Sequence, residues 1–82
     1  MEYETEFKPR AVKDIENLSS RMQTKIIKNI EIMGHDLTGD VKRLTNFTPE
    51  YRLRVGDYRV LFEIENERIV VYRIRHRREV YR

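Results

Sequence analysis

Eighty-two residues make one small domain, with 39% hydrophobic side chains to build a core beneath a chain that is 38% charged. The absence of cysteine excludes a disulfide framework, a thiolate zinc site and a cysteine nucleophile, and two histidines, His35 and His76, are too few for an all-histidine metal site. The net charge of +3 is unevenly spread: residues 1–50 carry eight basic against nine acidic side chains, whereas residues 51–82 carry nine basic, all arginine, against five acidic.

The first element in chain order is Glu2–Phe7, whose alternation of polar and apolar residues predicts a half-buried strand. Pro9 ends it and suits the first turn of a helix, in which Ala11, Val12, Ile15 and Leu18 recur at helical spacing. Ser19-Ser20 breaks that run and can cap a second helix, with an apolar stripe of Met22, Ile26, Ile30 and Met33 and with Ile27 beside it. Gly34 stands where a left-handed residue would close this helix. Both stripes read as core.

Turn-forming residues dominate positions 34–50, apart from a short Val41–Leu44 stretch that can form an extra strand. Two β-rich runs, Tyr51–Val55 and Tyr58–Ile64, then flank Gly56-Asp57, a two-residue hairpin turn of the primed kind. A third run, Ile69–Arg75, follows Glu65-Asn66-Glu67. The order β-α-α-β-β-β predicts a single α+β domain over residues 1–82. Two N-terminal helices would cover one face of a largely antiparallel sheet of four or five strands. No apolar run approaches a membrane span or a signal peptide, so a cytoplasmic protein without membrane contact is expected.

The hairpin turn sets the register. With Gly56 and Asp57 at its centre, Arg54 faces Arg59 and Leu53 faces Val60. Tyr51, Leu53, Val55, Tyr58, Val60, Phe62 and Ile64 then share the core face, and Arg52, Arg54 and Arg59 share the open one. Like charges directly opposite destabilise a sheet, by a few tenths to about 1 kcal/mol, so the Arg54–Arg59 pair makes sense if an anion sits between them. In the third run Val70, Tyr72 and Ile74 are the cleaner apolar set, which sends Arg73 and Arg75 to the open face. That assignment needs a three-residue loop at Glu65-Asn66-Glu67, and a shorter turn reverses it.

The chain ends on Arg75-His76-Arg77-Arg78-Glu79-Val80-Tyr81-Arg82, where cations are interleaved with two proton carriers and Val80 offers an apolar foot for docking. Arginine presents a planar fork to phosphate oxygens and is a poor acid or base. Several arginines with a tyrosine and a histidine suit phosphodiester transfer in RNA, which carries its own nucleophile in the ribose 2′-hydroxyl. Such an enzyme needs a base for that proton, cations for the developing phosphorane charge and a donor for the leaving 5′-oxygen. His76 and Tyr81 are the candidate bases. Arg73, Arg77 and Arg78 are candidate phosphate binders beside the hairpin arginines, and Tyr72 can stack on a base if it faces outward. Glu79 fits an ion pair better than a base.

Tyr51-Arg52-Leu53-Arg54-Val55-Gly56-Asp57-Tyr58-Arg59-Val60-Leu61-Phe62, followed by His76-Arg77-Arg78-Glu79-Val80-Tyr81, resembles the RelE/ParE superfamily of type II toxins, and within it the RelE branch. The early Ala11–Leu18 helix and Lys42-Arg43-Leu44 fit as well. The resemblance implies a ribosome-dependent mRNA interferase that enters the ribosomal A site and cuts mRNA through 2′-hydroxyl attack, with no metal or other cofactor. It also implies a cognate antitoxin, RelB-like or of another type II kind, and a toxin that is monomeric on its own. By the same resemblance Arg52 and Arg54 bind phosphate, Arg59 and Arg75 stabilise the transition state, and Tyr81 is the general base. The best-known members carry lysines at the positions of Arg52 and Arg54, which leaves the general acid open. Arg75 and Arg77 remain alternatives for one catalytic slot, as do His76 and Tyr81 for the base. The competing readings are a ParE-like gyrase poison on the same scaffold and a non-catalytic nucleic-acid-binding module.

Overall fold

The computed structural model describes residues 1–80 and, for Val80, the backbone. The elements run β1 (Glu4–Phe7), α1 (Pro9–Glu16), α2 (Ser20–Met33), β2 (Val41–Arg43), β3 (Tyr51–Val55), β4 (Tyr58–Glu65), β5 (Arg68–His76) and α3 (Arg77–Val80). Among the described residues five strands form one sheet in the order β1-β5-β4-β3-β2. All neighbours are antiparallel except β1 and β5, which the helical crossover makes parallel. The expected α+β architecture is therefore present, with the short Val41 stretch as its fifth strand.

Local chemistry explains the helices. Pro9 opens α1, its missing N–H costing nothing in the first turn. Ser19 caps α2 by accepting the Met22 N–H on its hydroxyl at 3.2 Å. Ala11, Ile26, Ile30 and Met33 are fully or almost fully buried and pack on Leu53, Val60, Phe62 and Val71 from the sheet. Each large apolar side chain so buried contributes about 1.5–3 kcal/mol.

Gly34 departs from expectation. It closes α2 with φ −59° and ψ −18°, a right-handed conformation, and the chain turns left-handed only at Asp36 (φ 56°) and Leu37 (φ 57°). Glycine serves close approach here. The Gly34 carbonyl accepts the Tyr3 N–H at 2.9 Å, and a Cβ would lie 3.4 Å from the Tyr3 carbonyl oxygen and 3.1 Å from that of Glu31.

The β3–β4 hairpin has the expected register: Leu53 opposite Val60, Arg54 opposite Arg59, Val55 opposite Tyr58. Gly56 (φ 59°) is the left-handed residue that this primed turn requires at its first central position.

The third strand corrects the expected apolar set. The β4–β5 turn has two central residues, Asn66 (φ 59°) and Glu67, between register partners Glu65 and Arg68. This shorter turn reverses the alternation, so Ile69 and Val71 join the main core cluster, while Val70 is buried outside that cluster and Tyr72 is only half-buried. A β-bulge then restores it. Leu61 pairs with Arg73 and Phe62 with Val71, leaving Tyr72 as the extra residue. Beyond the bulge Ile74 is core, and Arg73 and Arg75 fall on the open face as expected.

Candidate functional site

Three strands carry a row of arginines straight across the open face, because Arg54 of β3 pairs with Arg59 of β4, which pairs with Arg75 of β5. Paired side chains start about 5 Å apart, so the three arginines leave the sheet within two strand spacings.

Arg59 occupies the middle. It is 8% exposed, the one buried charged side chain among the described residues. Its Nη1 donates to the carbonyl oxygens of Gly56 at 2.9 Å and Tyr58 at 3.0 Å. No carboxylate pairs with it among the described residues. A buried cation held only by neutral carbonyls keeps its charge available to a ligand, at a desolvation cost that a bound anion would offset.

The other arginines are tethered by acids. Arg75 Nη2 donates to Glu79 Oε2 at 3.1 Å, and this bond is the main reason that the Glu79 carboxyl is held below its ordinary pKa. Arg52 Nη1 donates to the main-chain oxygen of Asp40 at 2.8 Å and to its Oδ1 at 3.1 Å, while the Arg52 Nε is buried without an acceptor. Arg73 Nε and Nη2 grip the two carboxylate oxygens of Asp14 at 2.8 and 3.2 Å. The same carboxylate accepts the Ile74 N–H at 2.9 Å, where β1 has ended and the β5 edge would otherwise be open. Arg54 is exposed.

The start of α3 is held by the hairpin turn. The Arg77 N–H donates to the Asp57 carbonyl at 2.7 Å, and its Nε lies 3.8 Å from Asp57 Oδ1. Arg78 is exposed. His76 alternates to the side opposite Arg75: its register partner is Tyr58, and the two rings meet edge to face at 5.5 Å between centroids. Its Nδ1 accepts the Arg78 N–H at 3.2 Å. The row thus brings Arg54, Arg59 and Arg75 together, while His76 projects on the side of Tyr58. Tyr81 and the side chain of Val80 lie outside the described residues.

Of the carboxylates that hold these arginines, Glu79 is in the ion pair expected of it, whereas sequence reading missed Asp14 and Asp40. Asp14 had a signal, since it stands three residues after Ala11 and four before Leu18, on the inward stripe of α1, where a charge needs a partner. Asp40, inside a cluster of turn residues, had none.

A family model described as the ParE toxin of type II toxin–antitoxin systems, parDE, matches residues 5–81. The chain belongs to this toxin family. A curated relative, Toxin RelE3 of Methanocaldococcus jannaschii, is 31% identical over 75 residues that span 85% of each chain. Among solved structures, the RelB–RelE antitoxin–toxin complex from Methanococcus jannaschii aligns with a TM-score of 0.76 at 28% identity, over 93% of this chain and 94% of that one. The RelBE2 toxin–antitoxin complex from Mycobacterium tuberculosis aligns with a TM-score of 0.80 at 21% identity, over 93% and 99% of the two chains, a likeness of fold. The protein is thus a RelE-like toxin of the type II class, and its arginine row lies on the sheet face that the two long helices leave open.

Proposed function

We propose that this toxin is an endoribonuclease that cuts mRNA in the ribosomal A site, in the cytoplasm, by attack of the ribose 2′-hydroxyl on the adjacent phosphodiester. The 2′-oxygen–phosphorus bond forms, the bond to the 5′-oxygen breaks, that oxygen takes a proton from water, and the products are a 2′,3′-cyclic phosphate and a free 5′-hydroxyl. Arg59 and Arg75 take the charge that develops on the phosphorane, and Arg52 and Arg54 hold flanking phosphates, with Arg73 on β5 and Arg77 and Arg78 on α3 as further phosphate contacts. Tyr81 accepts the 2′-proton, since His76 projects to the side of the sheet opposite Arg75, and guanidinium groups beside a tyrosine favour its phenolate. A RelB-like antitoxin silences the toxin by covering this cationic face.

The observation that carries this reading is the buried Arg59, without a carboxylate partner among the described residues, flanked by Arg54 and Arg75 in register. Packing alone gives no reason to desolvate a cation between two others, whereas an anionic transition state does. The RelE relative and the RelB–RelE neighbour point the same way. The description of the matching family model favours a second reading, a ParE-like gyrase poison without nuclease activity.

Mapping mRNA ends after brief induction separates them. Cuts within translated codons, absent in Arg59→Ala and strongly reduced in Tyr81→Phe, are expected. Intact transcripts beside stalled gyrase–DNA complexes would select the ParE-like reading, and intact transcripts with RNA bound but no gyrase effect would leave a binding module.

A further inference from the structure

The bulge that rescues the register of β5 also puts Tyr72 outside the core, half-exposed, at the edge of the arginine face. Its hydroxyl donates to Glu65 Oε2 at 3.0 Å, which fixes the ring, and the Lys8 ammonium sits over the ring at 5.4 Å from its centroid. The ring forms one wall of a cleft of about 390 Å³ lined by Lys8, Pro9, Arg10, Pro49, Tyr72 and Arg73. Pro49 comes from the β2–β3 connection and Lys8–Arg10 from the start of α1, so three distant stretches converge here.

The chemistry of this cleft is mixed in a specific way. Its apolar walls are two prolines and an aromatic ring, and three cationic side chains complete the lining. Its end wall, Arg73, shares a strand face with Arg75, two residues on, about 7 Å along the strand. A flat apolar slot with cations around it, continuous with a row of phosphate-binding groups, fits one segment of single-stranded RNA: backbone on the arginines, base in the slot. The Glu65 acceptor raises the pKa of the Tyr72 phenol, so the ring is neutral at physiological pH.

We propose that this cleft is a nucleobase subsite, in which Tyr72 stacks on an unpaired base one or two nucleotides from the phosphate held by Arg59 and Arg75. The inference rests on the RNA-cutting reading for its ligand class, but it concerns binding and stands or falls separately from cleavage.

The test is a titration of the full chain with a fluorescent oligoribonucleotide whose 2′-O-methyl groups block cleavage. A loss of about 5–10-fold in affinity is expected for Tyr72→Leu, with most of it recovered in Tyr72→Phe, which keeps the ring. Replacing the bases one at a time by abasic sites should find one position with a similar loss, and that loss should vanish in Tyr72→Leu. Because the abasic series alters only the nucleic acid, it reads the subsite even if a protein variant folds poorly. Absence of binding by the wild-type chain, equal affinities for all abasic oligonucleotides, or a Tyr72→Leu effect confined to antitoxin binding would overturn the proposal. Base stacking in the titration together with uncut mRNA in cells would sink the nuclease reading and leave the subsite standing.

Discussion

Arg59 and Arg75 stand opposite one another across the β4–β5 ladder, yet their guanidinium groups are held by acceptors of different kinds. Neutral carbonyls of Gly56 and Tyr58 hold Arg59, and the Glu79 carboxylate holds Arg75. Among the described residues no acid offsets the field of Arg59, whereas the Glu79 carboxylate partly offsets that of Arg75.

That difference ranks the two in catalysis. Arg59→Ala should slow single-turnover cleavage of ribosome-bound mRNA by about 100–1,000-fold, the usual cost of removing one preorganised donor. Stability should change by no more than about 1 kcal/mol, because two lost hydrogen bonds are offset by relief of repulsion from Arg54 and Arg75. A urea melt alongside the kinetics checks both. A large loss of stability with unchanged cleavage would make Arg59 a structural residue.

Glu79 predicts a pH effect. Its hydrogen bond from Arg75 lowers its pKa in the folded chain, so the pair stabilises α3 above the ordinary glutamate pKa. That contribution fades as the pH falls through the depressed folded value. A carbon-13 NMR titration of the Glu79 carboxyl should give a midpoint below that of an ordinary glutamate. Arg75→Gln should move it back up, and an unmoved midpoint would break the assignment.

Asp14 carries a larger share of stability. It satisfies two guanidinium donors and the Ile74 N–H in a setting where its side chain is only 18% exposed. Asp14→Ala should cost about 2–3 kcal/mol, from charge-assisted hydrogen bonds lost at a partly buried edge. Arg73→Ala should cost less, because Asp14 still closes the strand edge at Ile74. Urea midpoints of the two variants give the order directly.

Gly56 links the fold to the site, since its carbonyl anchors Arg59 and its φ of 59° shapes the turn. A Cβ there meets only the end of the Lys25 side chain at 3.5 Å, so Gly56→Ala is strained by its backbone rather than by crowding. A loss of about 1–2 kcal/mol is expected in thermal melts. A neutral result would mean that the turn relaxes to another type.

The features that the sequence determined by itself are those set by neighbours in the chain. The stripes of α1 and α2 (apart from Val12, which is exposed), the Ser19 cap and the Gly56-Asp57 turn are local, and a two-residue turn settles every pairing between β3 and β4, including Arg54 with Arg59. Tertiary structure decided what depends on partners far along the chain. Counting three loop residues at Glu65–Glu67 puts Val70 and Tyr72 on the wrong face, although Val70 is buried there too, yet it gives the right face for Arg73 and Arg75. The turn and the bulge are two separate shifts of one residue, and they cancel beyond Tyr72. No local pattern announces a bulge, because its extra residue is selected by packing on both sides of the sheet. Likewise, period-2 alternation placed Arg59 on the open face but could not bury it, and the hold of Asp14 on Arg73 spans 59 residues. Burial and long-range charge pairing arise only when separate segments exclude water together, and that happens once the chain is folded.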